Sequence, residues 1–307
     1  MRIVFMGTPE IALPPLTALI EAGFDIPLVI SQPDKPKGRG NVLTPTPVKQ
    51  LAVKYGIEVF QPTAIRNNPE VETLLKSIKA DFFAVAAYGK ILPPSILTIP
   101  KKAPINLHFS LLPAYRGAAP VNWAILNGDE YTGVTSMKMD EGMDTGDILL
   151  TEKALINNSD ALSLGEELAV RGGKLLVKTF LEYESIIARA QSGAASAAPM
   201  ITKEMGRIDW RREAAFIERM SRAFLPWPSA YTHHNGKLLK IFSAQVIDEK
   251  AAAASGGEVV SVGKTSFDVS TALGILRVNE VQLEGKRRLP VRDFLAGYSL
   301  KVGDRFD

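Results

Sequence analysis

The residues able to do chemistry gather in two short stretches of this chain. The first is Pro104-Ile-Asn-Leu-His-Phe-Ser110. Read as a strand, it turns Ile105, Leu107 and Phe109 to one face and Asn106, His108 and Ser110 to the other. Polar groups on one face of an otherwise apolar strand cost desolvation energy unless they bond to something or act on something. An amide and an imidazole side by side can donate to a developing negative charge and move a proton. The plainer alternative is a hydrogen-bonded core histidine beside a turn asparagine. There are only three histidines, and the other two, His233 and His234, are adjacent and far along the chain. The second stretch is Met139-Asp-Glu-Gly-Met-Asp-Thr-Gly-Asp147, where Asp140, Glu141, Asp144 and Asp147 crowd together and Gly142 and Gly146 permit sharp bends. The spacing is not that of an EF-hand calcium loop. Such a loop either folds on itself through Asx turns or aims one carboxylate into a cleft as acid, base or histidine partner.

Other chemistries are excluded. With no cysteine, the chain has no thiolate nucleophile, disulfide framework or sulfur-based zinc site. Gly7 follows a short β-branched run, but GTPEIA lacks the second and third glycines of G-x-G-x-x-G, so a dinucleotide is not expected there. A Walker phosphate loop is absent, and no metal is expected.

The elements that must position these residues read as an α/β chain. Strand-like runs at 2–6, 26–31, 58–60, 82–87, 105–109, 132–139 and 148–155 alternate with helical spacing at 11–21, 47–55, 71–78, 119–126 and roughly 162–190. Strand-helix-strand repeats imply a Rossmann-like, mostly parallel sheet with right-handed crossovers. Asn106, His108 and Ser110 then sit at a strand's carboxyl edge, where such sheets bind ligands. Residues 191–199 (QSGAASAAP) have the composition of a flexible linker. Beyond a helix at 214–223 come short strands at 230–234, 238–246, 257–262, 266–269 and 274–283, broken by Asn235-Gly236, Gly256-Gly257 and Gly263. That pattern predicts a small β-barrel of the oligonucleotide-binding (OB-like) type. The expected division is a catalytic domain at 1–190, a linker at 191–206 and a barrel at 207–307.

Of the 307 residues, 46% are hydrophobic and 22% charged, the balance of a globular chain rather than a disordered one. No run approaches the length of a membrane span, and the N-terminus lacks the apolar core of a signal peptide; a soluble, cytoplasmic protein is expected. Net charge is only +3, but Arg207 to Asp307 carries sixteen Lys and Arg against twelve Asp and Glu. Residues 31–50 hold Lys35, Lys37, Arg39 and Lys49 against Asp34 alone. This is either an ordinary solvated surface or a track for a polyanion.

Together the two stretches resemble the folate-dependent formyltransferases. Asn106-x-His108, the adjoining SLLP of 110–113 and the carboxylate loop through Asp144 carry that resemblance. The similarity narrows to members acting on initiator methionyl-tRNA through MGTPE (6–10), QPDKPKGRG (32–40), TPTPVK (44–49), AYGKILP (87–93), SLLPAYRGAAP (110–120), MDEGMDTGD (139–147), GRIDW (206–210) and RAFLPWP (222–228). The resemblance implies transfer of a formyl group from 10-formyltetrahydrofolate to an amine, with Asn106, His108 and Asp144 catalytic. It implies that Ser110, Leu111, Leu112, Pro113 and Asp140 meet the folate, with Tyr88, Ile91 and Leu92 as apolar wall. It implies tRNA contacts from Lys35, Lys37, Arg39 and Lys49 in the basic insert, Lys203 and Arg207 near the linker, and Lys286, Arg287 and Arg288 in the barrel. The protein would act as a monomer. Two other readings stand beside this one: a sibling enzyme formylating a sugar amine or purine precursor, and a nucleic-acid module with an inert α/β part.

Overall fold

The first strand, Arg2–Gly7, is β-branched and aromatic, and all but its first residue are buried. Such continuous burial is what a parallel strand covered on both faces requires. It pairs in parallel with Asp25–Ile30 on one side and Phe82–Ala86 on the other. Gly7 ends it because a Cβ there would lie 2.7 Å from the Phe5 ring and 2.9 Å from the Ala86 carbonyl. The computed structural model describes residues 1–37, 40–252 and 256–307. These divide into two units: Met1–Pro120, Tyr131–Leu155 and Gly165–Pro199 in one, Val121–Glu130, Ile156–Leu164 and Met200–Asp307 in the other.

The first unit is a seven-stranded sheet in the order Ile148–Leu155, Tyr131–Lys138, Ala103–His108, Phe82–Ala86, Arg2–Gly7, Asp25–Ile30, Glu58–Phe60. The last five run parallel and Tyr131–Lys138 runs antiparallel to both of its neighbours. The expected Rossmann-like sheet is present. Val4, Met6, Leu28, Ile30, Phe83 and Val85 form one core with Val71, Leu75 and Ile96 of flanking helices. Over Ala103–His108 packs the long helix Ala161–Leu181, whose Gly172 lies so close to the Leu107 side chain that a Cβ would come within 2.7 Å of it. Where the parallel strands end, the Thr8 hydroxyl and the Gln32 amide both donate to the Tyr88 carbonyl, at 3.0 and 2.9 Å.

Two expectations for this unit need correction, and the basic insert takes a definite shape. The long helix stops at Leu181, not near 190; after a single turn at Tyr183–Ser185 the backbone straightens so that Arg189 and Ile148 exchange N–H···O bonds of 2.8 and 2.9 Å. The basic insert forms an antiparallel hairpin, Lys35–Lys37 against Val42–Thr44; Arg39, and the side chain of Lys37, lie outside the described residues. The small-residue stretch after 190 is not a free tether. Its Ala197–Ala198 pairs with Arg116–Gly117, with Arg116 N–H donating to Ser196 O at 2.8 Å.

The second unit is antiparallel. Ala230–His234, Lys237–Ala252, Leu273–Leu283, Phe267–Ser270 and Val259–Val262 pair in that order, with Leu289–Pro290 added to Leu273–Leu283. Asn235 and Gly236, with φ of 52° and 73°, make the tight turn between the first two strands. Lys237–Ala252 is longer than expected and carries four register shifts, which bend it. Among the described residues the end strands do not pair with each other, so what is seen of the expected OB-like barrel is its antiparallel sheet, without closure. The Trp210 indole, stacked on Phe306 at 5.7 Å, donates to the Thr232 hydroxyl. Among the described residues, no helix is long and apolar enough to cross a membrane.

Candidate active site

Ala103–His108 is positioned by its register. Asn106 lies beside Val85 of the parallel neighbour and Met137 of the antiparallel one. Leu107 faces the Gly172 helix, so Asn106 and His108 turn to the opposite face. His108, the strand's last residue, is 5% exposed. Its Nε2 is 2.9 Å from the Tyr115 carbonyl. A carbonyl only accepts, so Nε2 carries a proton there. The other ring nitrogen, Nδ1, is 3.6 Å from Oδ2 of Asp144. Asn106 Nδ2 is 3.5 Å from Oδ1 of the same carboxylate. Asn106, His108 and Asp144, separated in sequence, thus meet at one point.

Asp144 is held there by its backbone and by a donor. It adopts a left-handed conformation, φ 55°, uncommon for a residue with a side chain. Its Oδ2 accepts the Gly117 N–H at 2.9 Å. Gly146 admits the bend that follows, since a Cβ there would stand 1.8 Å from the Lys138 carbonyl oxygen. Asp140 does not face the trio. Its Oδ1 accepts the Gly142 N–H at 3.0 Å and the Thr145 hydroxyl at 2.7 Å, an Asx turn inside the loop. Within one loop, then, Asp140 ties the turn and Asp144 stands beside the histidine.

The Ser110–Pro113 turn supports the trio without joining it. Ser110, fully buried, donates its hydroxyl to Ala114 O at 2.6 Å. Thr135 clasps the turn, donating to Ser110 O and accepting the Leu112 N–H. Leu112 packs with Met137 and Ile148, while Leu111 and Pro113 are half-buried. Tyr88 and Leu92 belong to the core around Val4 and Phe83, and Ile91 is on the surface. The Tyr88 hydroxyl is buried with no hydrogen-bond partner among the described residues, and burial pushes its pKa up to about 12.

The basic residues fall into two groups. Lys35, Lys203, Arg207, Lys286 and Arg287 are exposed. Lys49 is not a free cation: its ammonium donates to Asp34 at 2.6 Å and Gln61 at 2.7 Å. Gln61 and then Lys49 hold the Asp34 carboxyl below its usual range. Arg288 pairs with Glu280 and lies over the Phe242 ring at 4.3 Å.

Sequence reasoning missed the residues that brace the site. Gln191 donates through Nε2 to the carbonyls of Asp144 and Gly146, both at 2.8 Å, and accepts from Arg116 Nε and Nη2 at 3.0 and 2.6 Å. Ser196 Oγ accepts the Tyr115 N–H at 2.8 Å. Both lie in a stretch whose composition reads only as linker; long-range backbone partners leave no local signal.

Comparison with known proteins gives the chain's relatives. The formyl transferase family model matches residues 1–180, and the model described as formyl transferase, C-terminal domain, matches residues 200–299. A methionyl-tRNA formyltransferase of Agathobacter rectalis is 47% identical over 100% of this chain and 99% of its own length. That of Pelotomaculum thermopropionicum is 48% identical over 99% and 97%. Among solved structures, a sugar 3N-formyl transferase, WlaRD, crystallised in the presence of dTDP and 5-N-formyl-THF, shares the fold at a TM-score of 0.67 and 21% identity, over 94% of this chain and 99% of that one.

Proposed function

The chain belongs to the methionyl-tRNA formyltransferase family and is a formyl-transferring enzyme, and from that premise we propose that it moves the formyl group of 10-formyltetrahydrofolate to the α-amino group of methionine esterified to initiator tRNA. The observation that carries the proposal is the meeting of Asn106, His108 and Asp144, with 3.5 and 3.6 Å between the carboxylate and its two neighbours.

The donor set suits the co-substrate. A formyl group passing between two nitrogens puts negative charge on its oxygen and must shed one proton and supply another. The Asn106 amide is a fixed donor beside that position, and in a site where water is scarce such donors contribute most. His108 Nε2 is spent on Tyr115, so Nδ1 is the ring nitrogen available to the reaction. Asp144 faces Nδ1 and fixes the orientation of the ring toward the reacting nitrogens. The incoming ammonium loses a proton to this group or to a water it holds, the new C–N bond forms, the bond to the folate nitrogen breaks, and that nitrogen takes up the proton. No covalent bond to the enzyme is needed.

The remaining assignments follow the family resemblance. Ser110, Leu111, Leu112, Pro113 and the 139–144 loop with Asp140 line the folate, with Tyr88, Ile91 and Leu92 nearby. The basic hairpin and exposed Lys203, Arg207, Lys286 and Arg287 follow RNA phosphates. Residues 1–190 form the body of the catalytic domain, and 207–307 form a tRNA-binding domain built on the antiparallel sheet. The protein works as a cytoplasmic monomer without a metal.

One assay tests the reading. With 10-formyltetrahydrofolate as donor, methionyl initiator tRNA, a dTDP-linked amino sugar and glycinamide ribotide are offered as acceptors. Formylation of the tRNA alone is expected; preference for either small amine overturns the acceptor assignment.

A further inference from the structure

A glutamine amide has two N–H donors and an oxygen with two lone pairs. In Gln191 all four are used: the donors on the carbonyls of Asp144 and Gly146, the oxygen on two nitrogens of Arg116. This fixes the orientation of the amide, because a flipped group would set oxygen against two carbonyls and N–H against a guanidinium.

What this amide grips matters. Asp144 needs support, since its backbone is left-handed and its neighbour Met143 is 59% exposed, leaving the loop's tip without an apolar anchor. The Asp144 carboxylate takes its N–H from Gly117, the residue after Arg116. Gln191 therefore holds the backbone of the carboxylate and, through Arg116, the segment that supplies its donor. The same stretch grips Arg116 again by backbone pairing through Ser196 and Ala197–Ala198.

We infer that Gln191 is a positioning residue that acts through Asp144, so that residues 191–198 form a supporting wall of the catalytic unit. The inference rests on the proposed role of Asp144. A misplacement of about 1 Å in a reacting constellation can cost on the order of 100-fold in rate. Loss of the two donor bonds is therefore expected to lower kcat by about 10- to 100-fold, with KM for either substrate little changed.

The experiment compares formylation kinetics of the full-length wild type, Gln191→Glu, Gln191→Met, Asp144→Asn and the Gln191→Glu/Asp144→Asn double variant, each checked for folding by thermal unfolding. Gln191→Glu keeps length and an acceptor for Arg116 but loses both donors. Gln191→Met loses donors and acceptor alike and carries the comparison if the added charge prevents folding. Both single variants are expected to lose kcat, and Gln191→Glu is expected to cost little more once Asp144 is already Asn, because a residue acting through another shows no further effect when that other is disabled. Full kcat in a folded Gln191 variant overturns the inference. So does a loss that adds undiminished to that of Asp144→Asn, the mark of a role independent of the carboxylate. Wild-type kcat in Asp144→Asn overturns the reading of the site itself, a distinct result.

Discussion

His108 Nδ1 and Asp144 Oδ2 stand 3.6 Å apart, and in the proposed reaction this pair, not the histidine alone, is the unit that handles protons. The opposite ring nitrogen is tied to Tyr115 O at 2.9 Å, which leaves Nδ1 as the nitrogen turned to the carboxylate. The carboxylate is shared as well, between the ring, the Asn106 amide and the Gly117 N–H.

Asp144→Asn keeps the shape and removes the charge, and His108→Ala removes the ring. Each is expected to lower kcat about 100- to 10,000-fold, the range for a positioned acid or base, while the folded state persists. Steady-state formylation with thermal unfolding measures both; a His108→Ala variant retaining most of its activity removes the catalytic assignment.

Gly146→Ala tests the loop without removing a polar group. Its Cβ would meet the Lys138 carbonyl oxygen at 1.8 Å, so the backbone must move and carry Asp144 with it. A stability loss of about 1–3 kcal/mol by urea unfolding is expected from overpacking, together with a fall in kcat larger than any change in KM.

Tyr88→Phe bears on pH. The Tyr88 hydroxyl is buried without a partner among the described residues and its pKa is pushed up to about 12 by desolvation. The unfolded phenol ionises near pH 10. A raised pKa means that stability is full below the unfolded value and falls as pH rises through the native one. Tyr88→Phe should therefore flatten the loss of stability between about pH 10 and 12. At neutral pH it should be neutral or stabilising, since an unsatisfied buried hydroxyl costs about 1–3 kcal/mol. A large destabilisation at pH 7 shows that the hydroxyl has a partner.

Salt separates the basic residues. Lys286→Ala and Arg287→Ala, at exposed positions, should each weaken tRNA binding and reduce the slope of log affinity against log salt by about one per lost phosphate contact. Lys49→Ala should leave that slope unchanged, because the Lys49 ammonium is engaged by Asp34 and Gln61. Filter binding across a salt series reads both; a lowered slope for Lys49→Ala places it on the RNA.

The alternation of Asn106 and His108 was legible because a strand has a period of two and its other face had to be apolar. The acidic loop was legible as a cluster, but only the family resemblance, not the loop's own pattern, singled out Asp144. That choice lies in the left-handed backbone of Asp144 and an N–H from Gly117, neither written locally. The same loop spends Asp140 on its own turn, which composition cannot distinguish from a free acid. Lys49 read as a surface cation because its partners come from neighbouring strand ends. Gln191 was invisible for the same reason: all its bonds reach residues at least 45 positions away.

The pairing of Ala197–Ala198 with Arg116–Gly117 has a practical side. A gene fusion that replaces the C-terminal part of the chain is best spliced after Pro199 rather than at 190. An earlier junction would discard Gln191 and Ser196 and leave a transplanted module joined to a slackened catalyst, whatever its own affinity for the new acceptor.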